Sequence, residues 1–146
     1  MTDLADFART AAADSGLSVA ISTRPDGTAQ ASVVNAGPLP HPLTGAPAVA
    51  LVAAGRSRKL ANWRRRPQAT VVARTGWQWV AVEGAVDVFG PDDPHPDLDA
   101  ERLRLLLREI FVAAGGAHDD WDEYDRVMAD ERRAAVFVTA ERVYSN

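Results

Sequence analysis

The six strand-like runs in this chain do not alternate with long helices, and no other feature limits the fold as strongly. Leu17 to Thr23 alternates Leu17, Val19 and Ile21 with small or polar residues. Pro25-Asp26-Gly27 then has the chemistry of a tight hairpin turn. Thr28 to Asn35 returns as a second strand, with Gln30, Ser32 and Val34 on one face and Ala31, Val33 and Asn35 on the other. Ala48 to Ala53 is a third, wholly apolar run. Ala69–Ala73, Trp77–Phe89 and Ala134–Tyr144 complete the set, and Trp77–Phe89 is long enough to bend near Gly84. Parallel strands need helical crossovers of a dozen residues or more, which most of these connections cannot hold.

The helical segments fall outside this series. Thr2 is expected to cap a first helix carrying Leu4, Phe7, Ala8 and Ala11. Ser57 is expected to cap a short helix that runs to Arg66 and stops at Pro67, with Leu60 and Trp63 anchoring it. Leu103, Leu106, Leu107, Ile110, Phe111 and Ala114 form one apolar stripe, closed by Gly115-Gly116. Asp119 is expected to cap a last helix with Trp121, Tyr124, Val127 and Met128 on one side. The order predicts an α+β fold, mainly β, in which about six antiparallel strands form a barrel with flanking helices. A doubly wound nucleotide-binding sheet does not fit it.

With 146 residues the chain predicts one domain over positions 1–146. The absence of cysteine excludes disulfides, thiolate metal sites and a cysteine nucleophile. Residues 1–13 carry Asp3 and Asp6 and lack an apolar stretch, so neither a signal peptide nor a membrane span is expected, and a cytoplasmic location is. His41, His95 and His118 are far apart and lack metal-ligand spacing.

Charge is distributed unevenly. No acidic residue occurs between Asp26 and Glu83, a stretch that holds Arg56, Arg58, Lys59, Arg64, Arg65, Arg66 and Arg74. The chain as a whole carries −4. A basic block in an acidic chain suggests a local anion site, while the net negative charge and the lack of a basic reading helix argue against nucleic acid.

Gly55-Arg56-Ser57-Arg58-Lys59 joins an apolar strand to a helix start. Three cations oppose the helix dipole there, and a phosphate would reverse the conflict by accepting N–H bonds and pairing with them. A solvated basic turn fits the same pattern. Arg64-Arg65-Arg66 lies at the helix end, where cations are favoured anyway. Ser32 and Asn35 can hydrogen-bond a flat heteroaromatic ring or face solvent. Trp77 and Trp79 can stack on a ring, cover a dimer interface or pack in the core. The Gly37–Pro47 loop, with four prolines, is a candidate to shape a pocket.

The run from Gly55 to Ala69, with its Lys59-x-x-Asn62-x-x-x-x-Pro67 pattern, resembles the pyridoxamine-phosphate-oxidase-like split-barrel superfamily. Together with Val82-Glu83-Gly84-Ala85-Val86, Trp121–Tyr124 and Arg142–Tyr144, it is similar to the flavin/deazaflavin oxidoreductases of actinobacteria, the branch with F420-dependent reductases. That resemblance implies a homodimer with its cofactor in a groove at the interface. It implies that Arg56, Ser57 and Lys59 hold the cofactor phosphate. The ring would lie along Gln30, Ser32, Val33, Val34 and Asn35, with Trp79 reaching in from the partner. The implied function is hydride transfer from reduced F420 to a small unsaturated substrate. FMN is the alternative cofactor, and a non-catalytic cofactor or tetrapyrrole binder is the alternative role. Arg58 and Arg64–Arg66 would suit the longer anionic tail of F420.

Overall fold

Alternation along β1 (Leu17–Thr23) sets the first surprise of the structure, a computed structural model that describes residues 1–146. Small Ser18, Ala20 and Ser22 point inward, while Leu17, Val19 and Ile21 point out. β2 (Ala29–Pro38) pairs with β1 antiparallel and places Val34 and Ala36 inside and Ala31, Val33 and Asn35 outside. It runs three residues beyond the expected Asn35. Ala36 to Pro38 leave β1 and pair with β3 (Ala48–Ala53), so one strand serves two partners.

The remaining strands are β4 (Gln68–Thr75), β5 (Gln78–Phe89), β6 (Ala134–Thr139) and β7 (Arg142–Ser145). The ring β1-β2-β3-β6-β5-β4 closes on itself through β4–β1 pairing, giving a six-stranded antiparallel barrel. The seventh strand, β7, pairs with β5 beside it. The single final strand expected over Ala134–Tyr144 is therefore two. Val138 faces Val86 and Arg142 faces Glu83, so the returning chain has one residue more than β5 offers. Glu141 N–H donates to both Glu83 O (3.1 Å) and Thr139 O (2.9 Å) at that break.

β5 changes partner at the expected bend. Residues to Ala85 pair with β4 and those from Val86 with β6. A Cβ on Gly84 would lie 1.7 Å from Thr139 O, so only glycine fits.

Four helices cover the barrel: α1 (Leu4–Ala12), α2 (Arg58–Arg65), α3 (Ala100–Ala113) and α4 (Trp121–Asp130). α1 places Phe7 and Ala11 in the barrel core, and α2 adds Leu60 and Trp63 to the same cluster. α3 and α4 build a second core on the outside, where Leu106, Leu107, Ile110 and Tyr124 pack on Ala48, Ala50 and Phe137. Two caps differ from expectation. Asp3, not Thr2, starts α1, because Asp3 and Asp6 bond reciprocally to each other's amides, while Thr2 bonds Ser145. Asp120, not Asp119, starts α4, accepting from Glu123 N–H at 3.1 Å. No helix is long and apolar enough to cross a membrane.

Candidate functional site

Where β2 crosses from β1 to β3 its outer face meets α3 and α4, and a cleft of about 570 Å³ opens between them. Leu17, Val33 and Val52 form its barrel wall. Phe111 of α3, Ala114 at its C-cap, and Val127 and Met128 of α4 form the opposite wall. Tyr124 joins them, its hydroxyl donating to Leu107 O at 2.8 Å, and burial pushes that phenol up to about 12. The volume and mostly apolar lining suit a flat organic ring.

Two cations break the apolar surface: Lys59 at the start of α2 and Arg133 at the end of the α4–β6 connection. Burial and the neighbouring Arg133 guanidinium both hold the Lys59 ammonium below the ordinary lysine range, and no carboxylate counters them. The Nε of Arg133 is buried without a hydrogen-bond partner. Glu123 is the one carboxylate on the cleft wall.

Of the predicted site residues, Val33, Val34, Asn35 and Lys59 come together around this cleft. Asn35 Nδ2 also donates to Ser15 O at 3.3 Å. Gln30 and Ser32 do not line the cleft; they lie on the inward side of β2, which Val34 shares, and Val34 borders the cleft nearer the crossing to β3. Gln30 accepts from Ser22 Oγ at 3.0 Å, and Ser32 Oγ is buried without a partner. Arg56 is exposed beside the cleft rather than on its wall. Ser57 occupies the N-cap position, but its Oγ caps nothing and is buried unpartnered. Trp79 lies away from the cleft, edge-on to Tyr144 at 6.0 Å between ring centroids.

Two of the three consecutive arginines are engaged elsewhere. Arg64 makes a two-pronged bond to Asp93 at 2.9 and 2.7 Å, and Arg66 donates to the carbonyls of Arg24 and Pro25. His41, expected in a plain loop, is buried against Phe89 and Phe137, with Nε2 2.7 Å from Asp87.

No protein-family model matches the chain. Solved structures do. A conserved hypothetical protein of Mycobacterium tuberculosis matches at TM-score 0.69 and 19% identity, over 99% of this chain and 84% of that one. A pyridoxamine 5'-phosphate oxidase-related, FMN binding protein of Nostoc punctiforme matches at 0.65 and 13%, over 97% and 80%. A protein named F420 reductase matches at 0.59 and 14%, over 88% of each chain. This chain has the split-barrel fold of the pyridoxamine-phosphate-oxidase-like proteins. Within that split barrel the cleft uses the outer face of β2, and its two cations come from elements far apart in sequence.

Sequence reasoning missed Arg133 and the α4 wall. Arg133 belongs to the acidic part of the chain, and nothing local ties it to residue 59. The apolar side of Trp121–Met128 is legible in the sequence, but the cleft that it walls is not.

Proposed function

We propose that this split barrel is a flavin- or deazaflavin-dependent oxidoreductase, with F420 as its cofactor and a small unsaturated molecule as its substrate. One observation carries the reading: Lys59 sits unpartnered and half-buried on the wall of a mostly apolar cleft, which suits a flat ring bearing a phosphoester. Lys59 would hold the phosphate, and Val33, Val34 and Asn35 would line the ring. Arg56 and Arg58, both exposed beside Lys59, would meet the longer tail. The bound coenzyme supplies the hydride. The chain's part is to orient the ring and exclude water from it.

A homodimer belongs to this reading. Val19 faces Val33 on one side and Val72 on the other, giving an outward apolar stripe across three strands. Val33 is 67% exposed and Val19 38%, which a lone barrel would leave in water. A second copy covering the stripe would sit at the rim of the cleft, since Val33 belongs to both.

FMN is the second reading, and the arginines favour it. Arg64 and Arg66 are already bonded, which leaves fewer cations for a long anionic tail. Parallel titrations with F420 and FMN, followed by turnover with an acceptor panel, test both. Tighter F420 binding with steady oxidation of its reduced form supports the first reading. Binding without turnover points to a carrier, and binding of neither defeats the proposal.

A further inference from the structure

We propose that Arg133 is the second half of a phosphoester clamp, facing Lys59 in the cleft. The proposal deepens the cofactor reading and rests on it for the identity of the ligand.

The clamp is assembled by a close backbone contact. Gly55 N–H donates to Glu131 O at 3.1 Å, which draws the β3–α2 turn onto the α4–β6 connection. A Cβ at position 55 would meet Arg132 O at 2.7 Å and Arg132 Cβ at 2.9 Å, so the approach needs glycine. Arg132 adopts φ 49, a left-handed turn, and its guanidinium bonds Asp92 outside the cleft. Arg133 N–H donates to Met128 O at 2.9 Å and closes the end of α4. The turn thereby sends two adjacent arginines to different tasks: one to an acid, the other to the cleft.

Arg133 is not satisfied there. One terminal nitrogen reaches Glu131 at 3.0 Å, while its buried Nε has no partner. Lys59 has none either, and the two cations repel. Glu123 and His118 share the cleft wall without forming an ion pair with either cation. A dianion between Lys59 and Arg133 would satisfy the orphaned Nε and replace repulsion by two attractions.

The test uses the full chain and three probes: FMN, riboflavin (which lacks the phosphate) and inorganic phosphate. Arg133→Met keeps the aliphatic stem, and Arg133→Gln is the second variant should the first fold poorly. FMN affinity is expected to fall roughly tenfold to hundredfold, with riboflavin affinity unchanged. Unchanged FMN binding, or an equal loss of FMN and riboflavin, overturns the clamp. If the unaltered chain binds neither flavin, FMN is excluded as the cofactor and phosphate decides the clamp alone. A phosphate-dependent rise in melting temperature that Arg133→Met abolishes upholds it. The same rise in the variant, or none in the parent, overturns it.

Discussion

Asn62 Nδ2 donates to Ser22 Oγ across 3.0 Å, and Ser22 Oγ donates in turn to Gln30 Oε1 at the same distance. Ser22 is 1% exposed and Asn62 7%, so the bond is shielded from water. The asparagine of the Lys-x-x-Asn pattern is thus a tether between α2 and the barrel, on the side of β2 away from the cleft. Asn62→Leu is expected to cost about 1–3 kcal/mol of stability, because Ser22 loses its donor in a buried setting. Urea unfolding reads that loss. Cofactor affinity measured in the native range should move less than threefold, and a loss as large as that of a Lys59 variant would make Asn62 a ligand instead.

Lys59→Ala is expected to weaken cofactor binding by about 1.5–3 kcal/mol, as for other charge-assisted bonds. Fluorescence titration with F420 and FMN measures it. Equal affinities for variant and parent would remove Lys59 from the site.

The same lysine predicts a pH effect without ligand. Its folded pKa lies below the ordinary 10.5, so the folded chain binds that proton less readily than the unfolded one. The resulting cost is present in full below the folded pKa and disappears as pH climbs toward 10.5. Lys59→Met should therefore melt higher than the parent at pH 7, with the gap narrowing in alkaline buffer. A gap that widens between neutral and alkaline pH contradicts the sign.

Gly84→Ala places a methyl group on Thr139 O, where no side chain can give way. The strands must separate, at a cost of about 1–3 kcal/mol or more. Gly27→Ala, with open space around it, should cost less despite its φ of +88. Comparing the two urea midpoints checks the order.

Val19→Asp puts a charge in the middle of the outward apolar stripe. The parent is expected to sediment at about twice its 15.7 kDa at micromolar concentration, and the variant as a monomer. A monomeric parent would end the dimer proposal.

The strand and helix pattern was legible because it rests on neighbours. The alternation in Leu17–Thr23, the Pro25-Asp26-Gly27 turn, the stop at Pro67 and the bend at Gly84 all follow from local geometry. The barrel with its covering helices follows from their order. Errors came where a decision needed a distant partner: Thr2 bonds Ser145 and leaves the cap to Asp3, and the last strand breaks because β5 is one residue short.

The site divided in the same way. Local sequence marked Lys59 as a cation at a strand–helix junction and marked β2 as a polar-flecked strand. Only the tertiary structure decided which face of β2 borders the cleft, that Arg64 and Arg66 are spent on Asp93 and on backbone carbonyls, and that Arg133 stands with Lys59. The reason is physical: alternation says that two faces exist but not which is inside, and a charge acts through space on groups that chain order keeps far apart.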